Sequence, residues 1–156
     1  MNGIVRIFIL LGFVVFLQGC GSDEKINFLS VKKIEGKTII NFTSSEKGLA
    51  RGQNLISCQV SSGEREGFSL NSDGVKVRGR VFDDGGVAGE YKYKASLVVY
   101  SYKNGSIEDV SSDDVKAAFS KSKYLDCRVI ERNYVAGPAL SNSIKMPVKD
   151  FLNSYS

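Results

Sequence analysis

The chain contains no histidine and only three cysteines among its 156 residues. Histidine is the commonest general base and the commonest metal ligand, so its absence excludes most catalytic triads and zinc sites. The chain also lacks a Cys-x-x-Cys pair, a glycine-rich phosphate loop and a G-x-S-x-G motif. We therefore expect a protein that is not an enzyme and that carries neither a cofactor nor a metal ion.

A strong charge of either sign is missing as well. The chain has 21 Lys+Arg against 17 Asp+Glu, a formal net charge of +4 and a pI of about 8.9. The basic residues are spread along the chain instead of forming a tail, which argues against nucleic-acid binding. With 42% apolar residues, the composition is that of an ordinary globular chain with room for one domain.

A hydrophobic run long enough to span a membrane is lacking near the N-terminus. The apolar run of residues 7–17 follows Arg6 and ends before Gln18. A helix needs about 20 apolar residues to cross a bilayer, whereas about 7 to 15 form the core of a secretory signal peptide. Residues 1–19 are therefore predicted to be a signal peptide.

The end of this run, Leu17-Gln18-Gly19-Cys20, resembles the lipobox of bacterial lipoproteins. The resemblance implies that Cys20 is diacylated on its sulfur and becomes the first residue of the mature chain, with residues 20–25 as a short tether. Two or more acyl chains anchor a protein stably without a transmembrane helix. The alternative is an ordinary signal anchor in which Cys20 has no role.

The residue after the cysteine bears on the location. Inner-membrane lipoproteins tend to carry Asp at that position, and here it is Gly21. By the same resemblance we expect a lipid anchor in the outer membrane of a Gram-negative bacterium. Residues 26–156 would then form a single domain that faces the periplasm.

The two remaining cysteines form a natural pair in an oxidising compartment. Cys58 alternates in phase with Ile56 and Val60, and Cys127 is in phase with Leu125, so both thiols should point into the core. We predict a structural disulfide. A bond between Cys58 and Cys127 closes a long loop of chain, which stabilises the fold by about 4 kcal/mol in the chain-entropy model.

Strand patterns dominate the rest of the chain. The predicted strands cover residues 26–34, 37–43, 55–60, 68–70, 75–82, 90–102 and 125–129. Turns are predicted at Glu35-Gly36, 71–74, Asp83-Asp84-Gly85-Gly86 and Asn104-Gly105. This pattern indicates a mainly β fold, a small antiparallel sheet or sandwich with one or two short helices, and α+β is the alternative.

Two helices are predicted. The first is capped by Ser111 or Ser112, has Asp113 and Asp114 in its first turn, and continues for about three turns. Its apolar stripe consists of Val115, Ala118, Phe119 and Ser122. A short terminal helix is predicted to run from Pro147 to Tyr155.

Five residues are candidates for contact with a partner. Lys76, Arg78 and Arg80 alternate with valines, so one face of their strand is basic, while Tyr91 and Tyr93 lie on the strand that follows. Strands joined by a short turn usually pair, so we expect the basic and tyrosine-rich surfaces to adjoin. Tyr and Arg are typical interface anchors. The alternative is a solvated edge that binds nothing.

The expected function is a non-catalytic binding or assembly module for an envelope protein complex, by analogy with secretin pilotins and the accessory lipoproteins of secretion or conjugation systems. No small-molecule substrate is expected. One alternative is a periplasmic inhibitor or immunity lipoprotein against a lysozyme or bacteriocin, which would present a loop such as 44–53, 61–67 or 132–143. A hydrolase with a serine–lysine dyad comes third.

Overall fold

The structure is a computed structural model that describes residues 25–60, 68–133 and 137–156. The predicted signal peptide and the lipidated Cys20 lie outside these residues, as does the candidate loop 61–67. Within the described ranges, no helix is long and apolar enough to cross a membrane.

The described chain folds into one antiparallel sheet with two short helices. The elements are β1 (Ile26–Ile34), β2 (Lys37–Ser44), β3 (Leu55–Val60), β4 (Gly74–Val87), β5 (Glu90–Lys103), β6 (Ser106–Glu108), α1 (Ser112–Phe119), β7 (Tyr124–Asn133), β8 (Gly137–Leu140), β9 (Ile144–Pro147) and α2 (Val148–Tyr155). The strand order is β1-β2-β5-β4-β3-β7-β8, with β6 beside β5 and β9 beside β7. The predicted mainly β fold is confirmed.

Two of the predicted hairpin turns are confirmed. Glu35 and Gly36 join β1 to β2 with positive φ angles of 49° and 76°, and Asn104 and Gly105 join β5 to β6 with 50° and 83°. Two consecutive left-handed residues match the right-handed twist of the strands that they connect.

The predicted turn at Asp83-Asp84-Gly85-Gly86 is wrong. Strand β4 continues to Val87, and the ladder to β5 has a bulge between Asp83 and Gly86. Gly86 has a φ of 113°, and a Cβ atom there would lie 2.5 Å from the Glu90 carbonyl oxygen. The glycine therefore allows a bulge with close backbone contact, and the chain reverses after Val87.

The predicted strand at 68–70 is also absent. The carbonyl oxygens of Ser69 and Leu70 accept hydrogen bonds from the Lys76 ammonium group at 2.8 and 2.9 Å. The Lys76 side chain thus supplies the hydrogen bonds that these carbonyl groups would otherwise need from a neighbouring strand.

Two short strands were not predicted. Strands β8 and β9 pair end to end along the same edge of β7, where Ile130 lies opposite Leu140 and Cys127 lies opposite Ile144. Each has only four residues, which is too short for a clear alternating pattern. Helix α1 is also shorter than predicted, since it ends at Phe119.

The inner face of the sheet carries the core, and both helices cover it. Phe119 of α1 packs edge-on against Phe151 of α2, with the ring centroids 5.7 Å apart. The Thr38 hydroxyl on β2 donates a hydrogen bond to the Ser154 carbonyl at 3.0 Å, which ties α2 to the sheet. The predicted terminal helix is confirmed.

The predicted disulfide between Cys58 and Cys127 is present. The two residues lie directly opposite each other on β3 and β7, with Cα atoms 4.0 Å apart, and both are fully buried. Their position in the centre of the core supports a structural role.

Candidate functional site

Strands β4 and β5 present two different faces. Val77 and Val81 point into the core, whereas Lys76, Arg78 and Arg80 share the opposite, outer face. Across the ladder these three residues lie opposite Tyr100, Val98 and Ser96. The predicted grouping of the three cations on one face therefore agrees with the register.

The predicted tyrosines lie on the wrong face for a shared surface with these cations. Strands β4 and β5 are adjacent as expected, but Tyr91 and Tyr93 point inward. Tyr93 is 1% exposed, and its hydroxyl donates to the Glu46 carbonyl at 2.8 Å and accepts from the Gly48 N–H at 3.0 Å. Tyr93 thus holds the loop after β2, and partner contact through it is ruled out by burial.

Lys76 was predicted to be an exposed cation that contacts a partner, but it is buried. It is only 3% exposed, and its ammonium group lies 5.6 Å from the ring centroid of Tyr102. Burial, reinforced by the positive charge of Arg78, lowers the pKa of Lys76, and the charge of Asp73 partly offsets this effect. Because its donors are used by the carbonyls of residues 69–70, Lys76 holds the fold together and is not accessible to a partner.

Arg78 is partly buried, and its guanidinium lies 5.2 Å from the ring centroid of Tyr100. Tyr100 is 8% exposed. The Arg78 Nε atom and the Tyr100 hydroxyl are both buried, and neither makes a hydrogen bond of standard geometry with a described residue. Burial raises the pKa of Tyr100, and the positive charge of Arg78, together with the contact of its side chain with the hydroxyl, offsets part of the rise.

Arg80 is exposed, and its guanidinium lies 5.8 Å from the ring centroid of Phe82. It forms no ion pair with any residue that the structure describes. Other cations on this side of the sheet differ, since Lys94 lies 2.7 Å from Asp84 and Arg128 lies 3.7 Å from Asp126. Arg78 and Arg80 are thus cations whose charge no nearby described carboxylate neutralises by direct contact.

These two arginines line an open groove of about 530 Å³, which we call the arginine groove. Its lining residues are Leu55, Arg78, Gly79, Arg80, Phe82, Ser96, Val98, Val99, Tyr100, Ile107 and Asp109. Three of them expose large apolar side chains: Phe82 is 46% exposed, Val98 64% and Ile107 66%. A cluster of exposed apolar side chains is typical of a surface that another molecule covers.

Val98 and Ile107 were not predicted from the sequence to lie at a binding surface. The available signal was the pattern of β5, where alternate positions hold Lys92 and Lys94 at first but Val98 and Tyr100 later. An apolar or aromatic residue at a position assigned to solvent indicates a second covered surface.

The loops expected of an inhibitor are described only in part. Loop 44–53 is held down by the buried side chain of Leu49 and by the contacts of Tyr93. Part of segment 132–143 forms β8. In the parts of the chain that are described, no group of His, Cys, Asp or Glu residues is arranged to hold a metal ion.

Comparisons with protein-family models, with curated proteins and with solved structures find no match to this chain.

Proposed function

We propose that this protein is a lipid-anchored, non-catalytic binding module that faces the periplasm from the outer membrane. In this proposal, Cys20 carries the lipid and the arginine groove docks an acidic protein of the cell envelope. The proposed role is assembly of an envelope complex.

One observation carries the proposal: Arg78 and Arg80 have no ion-pair partner among the described residues, and they lie beside the exposed Val98 and Ile107. Arginine next to apolar side chains is typical of the energetic centre of a protein interface. The positive charge favours a partner with an acidic surface because complementary charges speed association and select the partner.

The position of the groove supports an orientation away from the bilayer. Ile26, where the domain begins, lies in the same cross-strand row as Tyr91 of β5. Arg78 lies opposite Val98, seven positions further along β5, or about 23 Å at the usual rise of a strand. The predicted tether of residues 21–25 spans at most about 18 Å. A partner in the periplasm can therefore reach the groove while the lipid stays in the membrane.

Photocrosslinking in intact cells tests this function. A benzophenone amino acid at Ile107 should capture a protein partner, whereas the same group at the exposed Val87, at the tether end of the sheet, should not capture it. Equal capture of the same protein from both positions would contradict docking in the groove.

Charge reversal of the two arginines is a second test of docking in the groove. Arg78→Glu with Arg80→Glu should abolish capture from Ile107 and leave the melting temperature nearly unchanged. Lys121→Glu with Lys149→Glu is the matched control, since both lysines are exposed and the change in net charge is the same. Capture at the original yield in the arginine variant would overturn the proposal.

Lipidation is tested separately. Cys20→Ala should abolish incorporation of labelled palmitate and leave an uncleaved precursor, whereas Cys58→Ala with Cys127→Ala should still be labelled. Labelled palmitate in the Cys20→Ala protein would contradict the proposed anchor.

A further inference from the structure

The arginine groove carries information about the chemistry of its partner, and this step rests on the proposed function. Its charged lining residues are Arg78, Arg80 and Asp109. The two guanidinium groups and one carboxylate leave one net positive charge in the lining. The groove therefore matches a group with a single negative charge better than one with two.

The geometry points to a carboxylate side chain. The Arg78 guanidinium lies beside the Tyr100 ring, and the Arg78 Nε atom and the Tyr100 hydroxyl are both covered. The covered Nε atom and hydroxyl are not reached from the groove, whereas Arg78 is only partly buried and lines it, so its guanidinium can meet an incoming acceptor. Arginine is also the side chain whose planar donors best match the two oxygens of a carboxylate.

The neighbouring surface indicates what carries that carboxylate. Val98 and Ile107 are exposed by 64% and 66%, and they line the same groove as Arg78. A volume of about 530 Å³ lies within the usual range for a ligand site, roughly 300 to 1,000 Å³. The space therefore accommodates an acidic side chain together with an adjoining apolar or aromatic side chain.

We propose that the protein partner anchors itself by one Asp or Glu side chain and one adjacent apolar side chain. The carboxylate accepts hydrogen bonds from the Arg78 guanidinium, and the apolar group packs on Val98 and Ile107. Arg80, at the exposed end of the groove, contributes long-range attraction to the same negative charge.

A minimal probe tests this chemistry without the partner. Full-length protein in micelles of an uncharged detergent is labelled with isotopic tyrosine, and its tyrosine signals are followed by NMR during titration with phenylpropionate. The Tyr100 signal, assigned by its loss in Tyr100→Phe, should shift most. Phenylpropionamide, which has the same shape without the charge, should bind at least about tenfold more weakly.

Variants separate the two subsites. Arg78→Gln should weaken phenylpropionate binding by about tenfold or more, whereas Tyr100→Phe, which keeps the ring and removes a covered hydroxyl, should leave binding nearly unchanged. Tyr124→Phe, which removes a hydroxyl from a partly exposed tyrosine elsewhere, should leave binding unchanged. Equal affinity for the acid and the amide would overturn the carboxylate subsite. Tighter binding of phenyl phosphate would overturn the preference for a single charge.

The two proposals fail in different ways. If crosslinking at Ile107 captures a partner and Arg78→Gln does not reduce the capture, the carboxylate anchor is wrong although docking in the groove stands. If phenylpropionate binds as expected and no protein is captured at Ile107, the subsite chemistry stands and the proposed protein-docking function fails.

Discussion

The inner and outer faces of β4 and β5 carry side chains from the same two strands but differ in what covers them. On the inner face, Val77, Val81 and Tyr93 are almost fully buried under the helices and the loop after β2. On the outer face, Lys76 is covered, whereas Arg80 and Val98 remain open to solvent.

The difference shows which side chains are available for binding. Every polar atom of Tyr93 and Lys76 that the fold buries is matched by backbone groups, so these side chains stabilise the fold. Arg78, Tyr100 and Arg128 each retain a buried atom without a standard hydrogen bond to a described residue. Of these three, Arg78 and Tyr100 line the arginine groove, so their surroundings invite a functional explanation.

Removing the disulfide is the largest expected disturbance of the inner face. Cys58→Ala with Cys127→Ala should lower stability by about 4 kcal/mol, or about 10 °C in melting temperature, because the unfolded chain loses its covalent loop. Scanning calorimetry measures the change. Arg80→Gln on the outer face is the control, and a comparable fall in both variants would remove the distinction between the two faces.

Truncating Leu49 tests whether the loop after β2 belongs to the core. Leu49 is 1% exposed, so Leu49→Ala should leave a cavity and cost about 3 kcal/mol in urea unfolding. The same change at Leu29, which is 50% exposed, should cost less than about 0.5 kcal/mol. Similar costs at both positions would mean that the loop is not packed as described.

Lys76 and Arg78 are neighbouring cations on the outer face, and their replacement by Met should affect stability differently. Lys76→Met should destabilise the fold by about 1 to 2 kcal/mol, because the carbonyls of Ser69 and Leu70 lose their donor. Arg78→Met should change stability by less than about 0.5 kcal/mol, because Arg78 donates no matched hydrogen bond from its buried Nε atom. Denaturant titration of both proteins gives the difference, and equal losses would refute it.

The smallest expected effect concerns pH. Burial, together with the charge of Glu46, raises the pKa of Glu131 above its ordinary value of 4.5. The folded state then binds the proton more tightly, so the stabilisation is full below pH 4.5 and is lost as the pH rises through the raised pKa. Glu131→Gln should flatten this part of the curve and slightly stabilise the protein at neutral pH. Melting temperatures of both proteins are measured from about pH 4 upwards to neutral pH. Parallel curves of melting temperature against pH for the wild type and the Glu131→Gln variant would contradict this prediction.

Much of the fold could be predicted from short-range patterns. The phases of Cys58 and Cys127 indicated the disulfide because side chains alternate strictly along a strand. Glu35-Gly36 and Asn104-Gly105 indicated tight turns because Gly36, Asn104 and Gly105 tolerate positive φ angles. The bulge at Gly86 was misread as a turn, since a glycine-rich stretch serves both purposes and only contact with β5 distinguishes them.

The sequence alone determined the alternation along each strand, and with it the grouping of Lys76, Arg78 and Arg80 on one face. Only the tertiary structure decided which of these cations is covered. Lys76 is buried because the chain at Ser69 and Leu70 folds back over it, whereas Arg78 lines the groove and is only partly buried. Local pattern sets the direction of a side chain, but coverage depends on contacts between residues far apart in the chain, which no local pattern contains.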